Sequence, residues 1–107
     1  MDDCIFCKIS KHEVPKEFTY EDDEVMVFPD INPIKPIHLL VVSKKHIPDF
    51  SQIKDLERKM FETVRNVIKE KGLSEGGYRL VINGGGAQVI DHLHIHVLGP
   101  MGQKVGW

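Results

Sequence analysis

Three histidines alternate with apolar residues near the carboxyl end of the chain, as His92, His94 and His96. Such alternation is typical of a β-strand with one buried face, because successive side chains point to opposite faces of a sheet. We therefore expect the intervening apolar side chains to point into a core and the three rings to point outward. Neighbouring rings on one face lie about 6 to 7 Å apart, so two of them can contact one small anion while the third serves another purpose.

Three interpretations fit this histidine strand. A neutral imidazole is a good nucleophile toward phosphorus or carbon when one ring nitrogen is free and the other is fixed by a hydrogen bond. A second imidazole can donate to a phosphate oxygen, so the cluster suits phosphoryl or nucleotidyl transfer. Alternating histidines can also chelate zinc or iron, and a polar row can form the solvated face of a strand. The spacing alone favours none of the three.

A glycine-rich loop shortly precedes the histidines. It runs from Asn83 through three glycines at positions 84–86 to Gln88. A glycine turn exposes backbone N–H groups to an anion, and the two amide side chains add uncharged hydrogen bonds. A hairpin turn that needs positive φ would explain the glycines by themselves. Their position beside three histidines favours a phosphate-binding loop.

The remaining pattern predicts an α+β fold with about five antiparallel strands, one main amphipathic helix and a short amino-terminal helix. Apolar residues recur at helical spacing between positions 52 and 71, and Gly72 is placed to end that helix. β-rich runs bounded by turn residues mark the strands. The predicted elements are a helical turn at 4–11, strands at 18–21, 25–28, 38–43, 78–83 and 92–98, and the helix at 52–71.

Composition limits the classes of function. The chain has 107 residues, 28% of them charged, and a formal net charge of −2 with dispersed lysines and arginines, so we expect no nucleic-acid polymer as a partner. We find no long apolar run and no leader, and expect a cytoplasmic protein without membrane attachment. In a reducing compartment, the spacing of Cys4 and Cys7 indicates a metal half-site or a redox pair rather than a structural disulfide.

Four segments and two polar residues together resemble the histidine triad (HIT) superfamily, and within it the Hint-like branch. They are residues 4–9 (CIFCKI), 28–31 (FPDI), 38–46 (HLLVVSKKH) and 92–98 (HLHIHVL), with Asn83 and Gln88. The resemblance implies a single HIT domain over residues 1–107 and a homodimer whose two sheets join. It also implies cleavage of purine nucleoside 5′-phosphoramidates to a nucleoside monophosphate and an amine, with no catalytic cofactor.

Roles carry over where positions match the family. The resemblance implies that His94 attacks the α-phosphorus and forms a nucleotidyl-histidine, that His38 and His96 flank it, and that Asn83 and Gln88 hydrogen-bond the phosphate. Asp30 would accept from the ribose hydroxyls, although an Asx-type turn before Pro33 is its alternative role. Ordinary core packing is the alternative for the apolar wall of the base pocket. That wall would comprise Ile5, Phe6, Ile9, Val14 and Ile31, with Val89 also beside the substrate.

Departures from the family pattern keep other functions open. Ala87 and Val89 stand where the family usually has glycine and a serine or threonine, so a hydroxyl that can aid the leaving amine is missing. The loop from Asn83 to Gln88 is also shorter than in close Hint relatives. By the same resemblance Trp107 would tune leaving-group choice, and a frayed terminus is the alternative for this residue. One alternative is a dinucleoside polyphosphate hydrolase or nucleotidyl transferase. Another is a zinc-stabilised nucleotide-binding module with little turnover.

The cysteine pair is half of a tetrahedral zinc site and has no second pair, so histidines would complete the site. The resemblance to some bacterial members of the family implies a structural zinc held by Cys4, Cys7, His46 and His92. A redox pair and two unligated thiols are the alternatives. His12 matches no family position, and we expect it to be exposed.

Overall fold

The computed structural model describes residues 3–106, so the prediction for Trp107 lies outside the described residues. A 3₁₀ turn at Phe50–Gln52 lies between β3 and α2. The elements in chain order are α1 (Ile5–Ser10), β1 (Tyr20–Glu21), β2 (Val25–Pro29), β3 (Ile37–Ser43), α2 (Glu57–Glu70), α3 (Leu73–Gly76), β4 (Arg79–Val81) and β5 (His94–Gly99).

The described strands form one antiparallel sheet in the order β1-β2-β3-β5-β4. This confirms the predicted α+β fold with its five-stranded antiparallel sheet, main helix and short amino-terminal helix. Phe28, Leu40, His96 and Val81 stand in register across four neighbouring strands. The sheet therefore places a histidine of β5 on the same row as an aromatic residue of β2.

Helix α2 covers one face of the sheet, where Met60 and Val64 pack among buried strand residues. The helix begins at Glu57 rather than near position 52, because Asp55 has a φ of +64° that a right-handed helix does not continue. Gly72, with a φ of +68°, follows the end of the helix as predicted.

Helix α1 covers the opposite face, so the interpretation of the histidine row as the solvated face of a strand is wrong. Phe6 and Ile9 pack against Phe28 there. The histidine rings point away from the α2 core, but His92 is fully buried and His94 is only 7% exposed. The alternating apolar residues of the same segment are buried in the α2 core, as predicted. The sheet is covered on both faces, and the histidine rings lie between the sheet and α1, in what we call the α1 layer.

Several element boundaries differ from the predictions. His92 precedes β5, and its backbone N–H donates to the carbonyl of Ile90 over 2.8 Å, so a local turn replaces the first residues of the expected strand. β4 is limited to Arg79–Val81, and the short helix α3 before it was not predicted. His12 is largely exposed, as expected, and donates to Glu21 over 2.6 Å. The helices of residues 3–106 include none with the length and apolar character needed to span a bilayer.

Candidate active site

A cavity of about 400 Å³ opens on the α1 side of the sheet. Its size falls within the range of about 300 to 1,000 Å³ that is typical of small-ligand sites. Imidazole, amide and carboxylate groups share the lining with a larger apolar wall. The lining residues are Ile5, Phe6, Ile9, Lys16, Phe28, Pro29, Asp30, Ile31, Asn32, Leu40, Asn83, Val89, Ile90, His94 and His96.

His94 lies on β5 with its ring against the cavity. Its Nδ1 is 2.7 Å from the carbonyl oxygen of His92, which can only accept, so we assign the proton to Nδ1. The Nε2 of the neutral ring then carries a lone pair. Phe6 contacts the His94 ring edge to face, with 5.2 Å between centroids. His94 thus has the two features of an imidazole nucleophile: one fixed nitrogen and one unprotonated nitrogen.

His38 and His96 form a chain of hydrogen bonds beside it. The backbone N–H of Ile34 donates to His38 Nδ1 over 3.2 Å, so the neutral His38 ring carries its proton on Nε2. That Nε2–H donates to His96 Nδ1 over 2.9 Å, which places the His96 proton on its own Nε2. His38 is buried and does not line the cavity. It acts on the cavity through His96, whose Nε2–H is the available donor.

The surroundings of His96 keep its ring neutral. Burial is the main cause that lowers the pKa of His96, and the charges that His94 and His38 would carry lower it further. Asp30 opposes this shift, since its Oδ2 lies 3.8 Å from His96 Nδ1 and 3.4 Å from His38 Nε2. A neutral His96 donates from Nε2 without adding a positive charge to the site.

Asp30 also makes the turn that the sequence offers as its alternative role. Its Oδ1 accepts from the backbone N–H of Asn32 over 2.9 Å. An ionised carboxylate has about four lone-pair positions, so this bond and the histidine contacts leave acceptor capacity on the cavity side. The structure therefore brings Asp30 to the cavity with lone-pair positions left on a carboxylate whose two oxygens each have one set of contacts within the chain.

All but one of the residues predicted beside the base line the cavity. Two of them have strongly exposed side chains, Ile31 at 80% and Val89 at 95%. Val14 does not line the cavity and packs instead at the margin of the α1 layer. The predicted apolar residues at the cavity are Ile5, Phe6, Ile9, Ile31 and Val89.

The glycine loop is held by a residue that the sequence analysis missed. Asp49 Oδ1 accepts from the N–H of Gly85 over 2.6 Å, and the pKa of Asp49 is lowered to about 2 by hydrogen bonds from Ser51 and Gly85. Gln88 donates to the carbonyl of Pro48 over 3.1 Å and accepts from the N–H of Gly86 over 2.9 Å.

The two predicted amide residues therefore lie in different places. Asn83 lines the cavity, whereas Gln88 does not. In this conformation the N–H groups of Gly85 and Gly86 already have acceptors within the chain. No local sequence signal links Asp49 to this loop, which lies 36 positions further along the chain.

A second cluster joins the amino terminus of α1 to the segments that flank β3 and β5. The sulfur atoms of Cys4 and Cys7 and the Nδ1 atoms of His46 and His92 all lie within 4.8 Å of one another. His92 Nδ1 is 3.2 Å from Cys4 Sγ, 3.6 Å from Cys7 Sγ and 3.2 Å from His46 Nδ1. A tetrahedral zinc with ordinary bond lengths requires about 3.3 Å between two nitrogens and about 3.6 Å between nitrogen and sulfur.

The donor chemistry of this cluster also fits a metal ion. His92 Nε2–H donates to the carbonyl of Ser43 over 2.6 Å, which leaves its Nδ1 lone pair facing the other three groups. Burial lowers the pKa of His92 to about 4, so the ring is neutral as a ligand must be. Burial also raises the pKa of Cys7 to about 11, and a bound cation opposes that shift because it favours the thiolate.

A third group of potential ligands, Asp30, His38 and His96, also has its ligating atoms within 4.8 Å. In this group the hydrogen bonds leave no lone pair on His38 for a metal. His38 Nδ1 accepts from Ile34, so its Nε2 carries a proton and cannot coordinate. The hydrogen-bond partner of the second ring nitrogen thus distinguishes the two clusters. It leaves His92 with a lone pair suited to a metal and His96 with an N–H that can donate.

Fold and site together define an α+β protein with a histidine cluster at a small-ligand cavity, and comparisons with known proteins agree. The HIT domain family matches residues 11–103. Protein HitA of Neisseria gonorrhoeae is 42% identical over 104 residues, which cover 92% of this chain and 97% of that protein. The chain belongs to the HIT domain family.

Solved structures show the same fold. The HIT family hydrolase from Legionella pneumophila Philadelphia 1 matches with a TM-score of 0.87 and 39% identity, over 98% of this chain and 97% of that chain. The histidine triad nucleotide-binding protein from Candida albicans matches with a TM-score of 0.84 and 33% identity, over 98% and 82% of the two chains. The resemblance seen in the sequence is confirmed for the superfamily and its fold.

Proposed function

We propose that this protein is a hydrolase that cleaves purine nucleoside 5′-phosphoramidates to the nucleoside monophosphate and an amine. The observation that carries the proposal is the 2.7 Å hydrogen bond at His94 Nδ1, which leaves the Nε2 lone pair for attack at the cavity. The likeness to the Legionella hydrolase supports hydrolysis as the reaction class, and the likeness to the Candida nucleotide-binding protein supports a nucleotide as the ligand.

The first chemical step transfers the nucleotidyl group to the enzyme. His94 Nε2 attacks the α-phosphorus, the new P–N bond forms, and the bond from phosphorus to the leaving amine breaks. His96 Nε2–H donates to a phosphoryl oxygen and stabilises the charge that develops there. The amine takes a proton from water, because the Val89 side chain has none to give. The product of this step is a nucleotidyl-histidine.

The second step restores the enzyme. Water attacks the same phosphorus and loses its proton to solvent, the bond to His94 Nε2 breaks, and the nucleoside monophosphate leaves. Asn83 at the cavity is the amide positioned to hydrogen-bond the phosphate. Gln88 would join it only after leaving Pro48, whose carbonyl it contacts at 3.1 Å. Asp30 accepts from the ribose hydroxyls with its remaining lone pairs.

The test is hydrolysis of adenosine 5′-phosphoramidate by wild type, His94→Ala and His12→Ala. His12 is an exposed histidine outside the cavity and serves as the matched control. We expect His94→Ala to lower kcat by at least about 1,000-fold, as removal of a nucleophile does, and His12→Ala to match wild type. Normal turnover by His94→Ala would overturn the proposal. Faster turnover of diadenosine polyphosphates would favour the polyphosphate hydrolase or nucleotidyl transferase instead.

One observation favours a second candidate function, a nucleotide-binding module with little turnover. Val89 is 95% exposed at the cavity and offers an apolar surface where the family usually has a hydroxyl. If departure of the amine needs that hydroxyl, the chain binds nucleotides but hydrolyses them slowly. Tight binding of a nucleoside monophosphate without hydrolysis of either substrate class would identify this function.

Two further features belong to the proposal. A structural zinc would be held by the cluster of Cys4, Cys7, His46 and His92, whose donor atoms and neutral His92 ring fit it. It would supply a cross-link between α1 and the sheet, and no reaction step passes through it. The protein is a homodimer joined through the edge strand β4.

A further inference from the structure

Lys16 carries the ammonium group among the described residues that line the cavity. Its side chain is half-buried, and its Nζ lies 4.9 Å from the centroid of the Phe28 ring. Among residues 3–106 no carboxylate pairs with this ammonium. An aromatic face offers a cation only part of what water or a hydrogen-bond acceptor offers, so the ammonium has donor capacity left for a ligand.

The position of Lys16 relative to the histidines follows from the sheet. Phe28 of β2, Leu40 of β3 and His96 of β5 stand in register, and two strand spacings correspond to about 10 Å. Phe6 spans the interval, with its ring 5.2 Å from His94 and 5.6 Å from Phe28. A nucleotide with its phosphate at His94 therefore extends its base along the Phe6 wall toward Phe28 and the cation above it.

The base edge that this cation prefers is set by hydrogen-bond chemistry. An ammonium group has three donors and no acceptor. Guanine presents two adjacent acceptors, O6 and N7, whereas adenine presents N7 beside the N6 amino donor. A lysine at the base therefore stabilises a 6-oxopurine and opposes adenine.

We infer that Lys16 is a specificity-determining residue that makes the site prefer 6-oxopurine nucleotides over adenine nucleotides. The inference rests on the proposed function, since that function places the base in this part of the cavity. The purine preference then depends on one side chain. The contact is with O6 and N7, so hypoxanthine and guanine are equivalent for Lys16.

The test is equilibrium binding of GMP, IMP and AMP by isothermal titration calorimetry. These are nucleoside monophosphates, so binding is measured without turnover. We expect wild type to bind GMP and IMP about tenfold more tightly than AMP, which lies within the discrimination of a good lysine contact with these atoms. Lys16→Met should reduce the ratio to about one, mainly by weakening GMP and IMP. Lys16→Arg keeps the charge and should keep the preference.

Lys69→Met is the matched control, because Lys69 is exposed on α2 at the opposite face of the sheet, and it should bind like wild type. Equal affinities of wild type for the three nucleotides would overturn the inference, as would a ratio unchanged in Lys16→Met. Equal weakening of all three would also overturn it and would place Lys16 at a phosphate. No binding of any nucleotide would overturn the proposed function as well.

Discussion

The chemistry of each buried histidine is decided by the group that faces its second ring nitrogen. Carbonyl oxygens hold the protonated nitrogens of His92 and His94, so each ring presents a lone pair on its other side. A backbone N–H does the opposite at His38 and turns its far nitrogen into a donor. Within one layer of the protein, the same type of side chain thereby offers the chemistry proposed for it, which is that of a metal ligand at His92, a nucleophile at His94 and a proton donor at His38.

The lowered pKa of His96 predicts a pH-dependent stability. In the unfolded chain a histidine has a pKa of about 6.5, whereas in the folded protein the pKa of His96 is lower, mainly through burial. Below about pH 6.5 the unfolded state binds a proton that the folded state resists. The free energy of unfolding is therefore unaffected by His96 above about pH 7 and decreases as the pH falls through about 6.5.

The measurement is urea unfolding of wild type and His96→Asn at pH 7.5 and pH 5.5. We expect the loss of stability between the two pH values to be smaller in His96→Asn, because that variant lacks this titration. The cysteine-histidine cluster contributes acid sensitivity to both proteins and cancels in the comparison. An equal loss in the two proteins would show that burial does not shift the pKa of His96.

At the scale of elements, α1 is a helix of only six residues that nevertheless covers the histidine face. Such a short helix is not stable by itself. Phe6 and Ile9 attach it through apolar contacts, and the cluster that begins at Cys4 attaches its amino terminus. A metal in that cluster would hold the wall of the cavity in place.

This predicts that removing the metal destabilises the protein as a whole. We expect about one zinc per chain in purified wild type and in His12→Ala, and little zinc in His46→Ala. A loss of about 2 kcal/mol lowers Tm by about 10 °C for a domain of this size, and we expect at least that in His46→Ala and in chelator-treated wild type. Metal analysis and thermal unfolding provide the measurements. A metal-free wild type with unchanged Tm would exclude a structural zinc.

At the scale of the whole molecule, β4 is an edge strand of the sheet that the described residues form. Leu80 lies opposite Val97 and so on the α2 face, yet it is 45% exposed, and Tyr78 beside β4 is 46% exposed. An edge strand with exposed apolar neighbours is a template for pairing with another chain. Together with the family resemblance, this supports the proposal that β4 is the dimer edge.

The prediction is a solution mass of about twice 12.2 kDa for wild type. Leu80→Lys should raise the dimer dissociation constant by at least about tenfold, because it places a charge in the joined sheet. Ile34→Lys is the control, since Ile34 is 74% exposed in the segment between β2 and β3. Analytical ultracentrifugation measures both. A monomeric wild type, or a Leu80→Lys variant as dimeric as the control, would contradict the prediction.

Local periodicity was sufficient to predict most of the sheet and helix α2. The alternation around His94 and the helical spacing around Val64 are each set by one buried face, and the structure places both faces in the α2 core. The α1 layer could not be read from the sequence in the same way. Its contacts join Phe6 to residues more than 80 positions away, and no local pattern encodes that distance.

The candidate site shows the same division. Resemblance to the family predicted the site residues that belong to its motifs, including the histidines, Asp30 and Asn83. In the structure, His94, His96, Asp30 and Asn83 line one cavity, and His38 contacts it through a hydrogen bond to His96. Asp49 and Lys16 were not predicted as site residues, because aspartate and lysine are common on protein surfaces and the contacts of these two residues depend on the tertiary structure. Gln88 has the expected type but is turned toward Pro48 by a contact that spans 40 positions.

Covalent attachment of a nucleotide to His94 is the step on which the proposed hydrolase depends. Intact-protein mass spectrometry after acid-free quenching, followed by peptide mapping, detects it in wild type, His94→Ala and His12→Ala mixed with adenosine 5′-phosphoramidate. We predict an increase of one adenylyl group per chain on His94 in wild type and His12→Ala, and none in His94→Ala. An adduct on any other residue, or an adduct that persists in His94→Ala, would contradict His94 as the nucleophile.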